Sequence, residues 1–153
     1  MPVVESELPK EIAGVTVKIK CTGFIHDVDF ISADDEESFS IEHTINLIPD
    51  HPSAQISRST QIVGGEVRLD MLLAMKATKE GIVSVSGSFE LWEGLIWNRT
   101  AHERIAESLI PSPGSITVYD GRIDDKKGDY ADVKLVVEAI PYLKPEPQEP
   151  KKN

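Results

Sequence analysis

The chain reads as an all-β protein, an antiparallel β-sandwich of seven or eight strands with one short helix. Three observations predict it. Long stretches alternate apolar and polar residues with a period of two, as half-buried strands do. These stretches are separated by proline, glycine and acidic clusters that suit turns. One segment, after Thr100, carries helical spacing instead. A closed β-barrel of similar strand number is the alternative, and its interior would enclose a small apolar ligand or a packed core.

The first strand is Val15, Val17, Ile19, Cys21, Gly23 and Ile25, alternating with Thr16, Lys18, Lys20 and Thr22. Beyond Ile25 the apolar positions become Val28 and Phe30, which predicts a β-bulge near His26-Asp27, because a one-residue slip turns a strand inside out. Phe39, Ile41, Ile45 and Leu47 form the return strand, with Phe30 expected near Phe39 and Val28 near Ile41. Pro49, Asp50, His51 and Pro52 end it, since proline cannot continue a ladder. Gln55 to Val63 fits an edge strand or an extended loop, because Arg58 and Thr60 interrupt the phase of Ile56 and Ile62.

Gly64-Gly65 marks a turn. Val67, Leu69, Met71, Leu73, Met75 and Ala77 give the longest alternation, and Val83, Val85, Gly87, Phe89 and Leu91 return from the turn at Lys79-Glu80-Gly81. Thr100-Ala101-His102-Glu103 matches a capping box, and Ala101, Ile105, Ala106 and Leu109 follow at helical spacing until Pro111, Pro113 and Gly114. A helix is therefore expected over 101–109. Ile116 to Tyr119 and Ala131 to Ile140 complete the strands. Residues 1–143 form one sandwich domain, and the tail 144–153, rich in Pro, Glu and Lys, is expected to be disordered.

Composition narrows the function classes. The 153 residues suit one domain with a well-buried core, and 40% hydrophobic with 27% charged residues is ordinary for a globular protein. A net charge of −10 opposes nucleic-acid binding, which needs clustered Lys and Arg. No apolar run approaches the length of a membrane span. The start lacks the basic and apolar regions of a signal peptide, and a lone Cys21 fits a reducing compartment, so the expected location is cytoplasmic.

The acidic residues gather in turns. His26-Asp27-Val28-Asp29 and Asp34-Asp35-Glu36-Glu37 form one cluster, and Asp120, Asp124, Asp125, Asp129 and Asp132 another. Carboxylates in turns either solvate the rim of a sandwich or hold a hard cation; Ca²⁺ takes six to eight oxygens at about 2.3–2.6 Å. The candidate metal ligands are Asp27, Asp29, Asp124 and Asp129, with Ca²⁺ as the candidate cofactor. Neither cluster matches an EF-hand loop, Lys126 and Lys127 lie within the second, and runs of charge are usually solvated. Strand count decides whether the clusters can meet, since successive loops alternate between the ends of a sandwich. If Gln55 to Val63 is a loop, they share an end; if it is a crossing strand, they do not.

Catalytic chemistry finds little support, and no catalytic residue is singled out. Cys21 is in phase with Val17 and Ile19, which makes it a buried apolar residue. Nucleophile elbows, phosphate loops and dinucleotide fingerprints are absent. His26 and His43 are expected close together across the first hairpin, where the pair with Asp27 is a candidate for a transition metal against a plain cross-strand contact on the wet face. Trp92 is out of phase with Phe89 and Leu91, so it faces the wetter side, either as a ligand anchor or beneath the expected helix. The leading functional expectation is a non-catalytic binding or protein-interaction module, Ca-dependent through its acidic loops, with a protein partner or self-association. A barrel enzyme or carrier with an apolar pocket, and a structural subunit of an assembly, are the alternatives.

Overall fold

In the computed structural model, residues 12–28, 34–94 and 98–144 are described. They form eight strands: β1 (Ile12–Asp27), β2 (Asp35–Leu47), β3 (Ser53–Ser59), β4 (Val67–Ala77), β5 (Val83–Glu93), β6 (Asn98–Ile110), β7 (Gly114–Asp124) and β8 (Tyr130–Leu143). One sheet has the order β2-β1-β8-β7 and the other β3-β4-β5-β6, and every pairing is antiparallel. Each strand therefore neighbours its successor in the chain except at two seams, β2/β3 and β6/β7, where no ladder joins the sheets. The closed barrel is not formed; the molecule is a two-sheet sandwich. No helix among the described residues is long and apolar enough to cross a membrane.

The core is the period-two pattern made solid. Odd-numbered residues of β1, β4, β5 and β8 point inward, with Val17, Met71, Phe89 and Leu135 fully buried between the sheets. Each such side chain contributes about 1.5–3 kcal/mol of burial. At the β2/β3 seam the inward face is apolar through Phe39, Ile41, Ile45, Leu47, Ala54 and Ile56, with two polar residues set into it. His43 pairs with Ile19 and Arg58 with Met71, so both face the interior side, and the Arg58 guanidinium donates to His43 Nδ1 at 3.0 Å. Thr60 Oγ1 accepts from Leu69 N and donates to Gln61 O. The ambiguous segment 55–63 is thus edge strand only as far as Ser59, where Arg58 reaches across the seam to His43, and residues 60–62 lie outside the ladder.

Three expectations are corrected. Residues 101–109 are not a helix; they lie in β6, paired with β5. The hydroxyl of Thr100 bonds Leu91 O across the ladder, and Glu103 lies opposite Phe89. The spacing of Ala101, Ile105 and Leu109 deceives because positions four apart also share a face of a strand. A bulge between Val85 and Gly87 then shifts the phase, turning Ile110 inward and leaving Leu109 59% exposed. The bulge expected near His26-Asp27 is also absent: β1 pairs with β2 without a slip through Asp27↔Asp35. Finally, Phe39 and Ile41 lie opposite Gly23 and Cys21, rather than Phe30 and Val28.

Candidate functional site

Strand phase carries the apolar face of four strands onto a carboxyl group. In β1 the inward series Val17, Ile19, Cys21, Ile25 continues to Asp27, which is only 3% exposed. In β5 the series Val83, Val85, Phe89, Leu91 continues to the partly buried Glu93. In β7 the buried Ile123 is followed by the buried Asp125, and in β8 Ala131 is preceded by Asp129, 1% exposed. The connections after β1, β3, β5 and β7 all lie at one end of the sandwich, so these groups converge above the core. Oxygens of Glu93, Asp125 and Asp129 lie within 4.8 Å of one another, and the Asp27 carboxyl meets that of Asp129.

The backbone fixes them. Asp129 Oδ1 accepts from Val28 N at 2.8 Å, and Asp125 Oδ1 from Lys127 N at 2.7 Å. Asp125 N donates to Asp129 O at 3.1 Å, closing the β7–β8 turn. The turn before β4 completes the enclosure: Gly94 N donates to Glu66 O at 3.0 Å. Gly64 there has φ 61°, and a Cβ on it would overlap Asp27 Oδ2 and come within 2.8 Å of Asp35 Oδ2. Glycine is therefore needed both for the backbone and for the room the two carboxylates occupy. Asp27 Oδ1 and Asp125 Oδ2 are buried and accept no hydrogen bond. Among the described residues, no Lys or Arg forms an ion pair with Asp27, Glu93, Asp125 or Asp129.

Concentrated negative charge out of water favours protons on these groups. Burial, then the charges of Asp129 and Glu66, a hydrogen bond with Asp129 and the charge of Asp35 push Asp27 up to about 7. Glu93 also rises to about 7, through burial and then its hydrogen bond and charge interaction with Asp129. Asp125 is raised by burial against the opposing bond from the Lys127 amide.

Of the sequence candidates, Asp27 and Asp129 are brought together. Asp124 alternates to the outward side, exposed, with Oδ1 accepting from Lys126 N at 2.6 Å. Asp29 lies outside the described residues. Glu93 takes part unforeseen, and Asp125, a member of the second cluster, takes the place given to Asp124; both continue the inward phase of their strands, a signal present in the sequence. His26 and His43 do not meet. They lie opposite Glu36 and Ile19 and on opposite faces of the sheet; His26 stacks on Tyr130 with its Nε2 3.1 Å from Asp34 Oδ2. Cys21 is fully buried, and burial pushes its thiol up to about 12, so it carries no thiolate. Trp92 lies under the Arg68 guanidinium, 5.7 Å from the ring centroid, where a helix was expected. Trp97 lies outside the described residues. No protein-family model and no curated protein matches the chain.

Proposed function

We propose that this chain is a non-catalytic binding module whose working face is the acidic loop end, and that its ligands are positively charged. One observation carries the reading. Every buried charged residue among the described residues, Asp27, Asp125 and Asp129, lies at that end, while the rest of the buried set is apolar apart from Thr60. Around this ring the exposed Asp35, Glu66 and Asp124 form an acidic rim. A buried charge without a partner is costly, so a protein that keeps several at one end has a use for them there. Acid catalysis is the weaker reading. A catalytic carboxyl must come within about 2.6–3.2 Å of a substrate atom, and at 3% and 1% exposure Asp27 and Asp129 are closed to any substrate bulkier than an ion or a water.

The reading is tested by amide chemical-shift mapping with three titrants: CaCl₂, a lysine-rich peptide and an apolar dye. Shifts from at least one cationic titrant, confined to residues 26–28, 34–35, 63–66, 92–94 and 124–130, are expected. Shifts from the dye spreading through the inward residues of β4 and β5 would replace it with the carrier reading.

A further inference from the structure

We infer that the buried ring at the loop end is a Ca²⁺ site, with Glu93, Asp125 and Asp129 as its protein ligands and the carboxyl of Asp27 adding negative charge beside Asp129. The inference rests on the reading of the loop end as the binding face, and names the ligand that its buried part takes.

Unused acceptors point to a ligand. Asp27 and Asp125 are more than nine-tenths buried, and each has one oxygen with no hydrogen-bond partner. A buried acceptor left unpaired costs about 1–3 kcal/mol, more when charged. Among the described residues no Lys or Arg forms an ion pair with either carboxyl, so a small ion from solvent is a species that can satisfy such an oxygen. The ring also has the right size. Oxygens bound to one Ca²⁺ at about 2.4 Å lie at most about 4.8 Å apart, and the oxygens of Glu93, Asp125 and Asp129 fall within 4.8 Å of one another. A partner's guanidinium or ammonium, arriving on a side chain, cannot enter a ring whose members Asp27 and Asp129 are this enclosed.

The ligand chemistry selects the ion. The donors are carboxylates alone, since the nearby His26 faces the opposite side of β1 and is engaged with Asp34 and Tyr130. An all-oxygen set disfavours zinc and copper, which prefer nitrogen and sulfur. Mg²⁺ keeps most of its water and uses one or two carboxylates in strict octahedra, whereas Ca²⁺ accepts many carboxylates, mono- or bidentate, in flexible geometry. Asp27 ends a strand of one sheet, Asp125 and Asp129 lie in the turn joining two strands of that sheet, and Glu93 ends a strand of the other. The ion therefore ties the sheets together.

Isothermal titration of the full chain at physiological salt tests this. One Ca²⁺ per chain is expected, with Mg²⁺ binding far more weakly. Asp125→Asn and Asp129→Asn should each lower Ca²⁺ affinity about tenfold or more, while the outward Asp124→Asn leaves it unchanged. Each substitution removes a repelled charge, so the variants should stay folded, which their melting in chelator verifies. Calcium heats no larger than those of Mg²⁺ or NaCl at matched ionic strength, or an affinity unmoved by both substitutions, overturn the inference. If calcium fails while the lysine-rich peptide still shifts the amides of Asp35, Glu66 and Asp124, the Ca²⁺ site falls and the binding-face reading stands. Failure of both ends both.

Discussion

Asp27 concentrates the physics of this molecule in one side chain. It occupies the inward position after Ile25, where an apolar residue would extend the core, and instead faces the charges of Asp129, Glu66 and Asp35. Its acid form is favoured by the fold, with the pKa raised from 3.8 to about 7, and Glu93 follows from 4.5 to about 7. The sign follows from linkage: a carboxyl raised in the folded state adds no penalty below its unfolded pKa and destabilises increasingly as pH climbs towards the folded value. In chelator, stability should therefore decline between about pH 4 and pH 7 in wild type. Asp27→Asn should flatten that decline, as read by urea unfolding at a series of pH values. Parallel curves for the two proteins would mean that Asp27 ionises freely in the fold. The glycine that makes room for Asp27 provides a second test at this scale. Gly64→Ala meets both a positive φ and two carboxylate oxygens, whereas Gly65 has φ 75° and nothing within 4 Å of its absent Cβ. Gly65→Ala should cost about 1–2 kcal/mol from backbone alone, and Gly64→Ala clearly more. Equal costs would remove the steric part of the account.

At the scale of elements, β6 shows where local pattern loses to context. Alanine, isoleucine and leucine four residues apart suit a helix face, and Thr100 with Glu103 suits its cap. The same residues pair along β5, a long apolar strand whose open edge must find backbone partners. The two structures separate on Ile105 and Leu109. A helix would place them on one covered face, but in β6 the first is 1% and the second 59% exposed. Ile105→Ala should cost about 2–5 kcal/mol and Leu109→Ala no more than about 0.5 kcal/mol, measured by denaturant unfolding. Similar costs at both positions would favour the helix. The strands of β1, β4, β5 and β8 were legible because one face of each is uniformly buried. The acidic ring was half legible: Asp27 and Asp129 stood out as turn carboxylates, Asp125 stood in the same cluster but its outward neighbour Asp124 was chosen as the ligand, and Glu93 at the end of β5 lay outside both clusters. Val28 and Phe30 also suggested a change of phase that β1 does not make, which disguised Asp27 as a bulge residue when it is the last inward position of its strand.

For the whole molecule, the question of whether the two acidic clusters meet was one of parity. A crossing strand at 53–59 alone would have sent the β1–β2 and β7–β8 connections to opposite ends. β6 adds a second crossing where a helix was expected, and the two additions cancel. The strand order still follows the chain around the sandwich, leaving seams at β2/β3 and β6/β7. Those seams make a prediction that a closed barrel does not share. In an antiparallel edge strand, alternate amides face the neighbouring strand and the rest face outward. Amides of β2, β3, β6 and β7 that face the seams should exchange far faster than their alternates, while β1, β4, β5 and β8 are protected throughout. Uniform protection around all eight strands would indicate closure.

Calcium turns the same measurement into a map of the site. An ion that binds only the folded state slows exchange by stabilising the openings it opposes. Those are the openings that separate the ends of β1, β7 and β8 from that of β5, where the ring joins one sheet to the other. Added protection should therefore centre on 26–28, 92–94 and 124–131, and local openings around 48–52, 78–82 and 111–113 at the opposite end should exchange as before. Screening by salt acts on exposed charge everywhere within about a Debye length and carries no such polarity along the strands. Protection gained equally at both ends would mean that the carboxylates feel calcium as ionic strength and that the ring holds no ion.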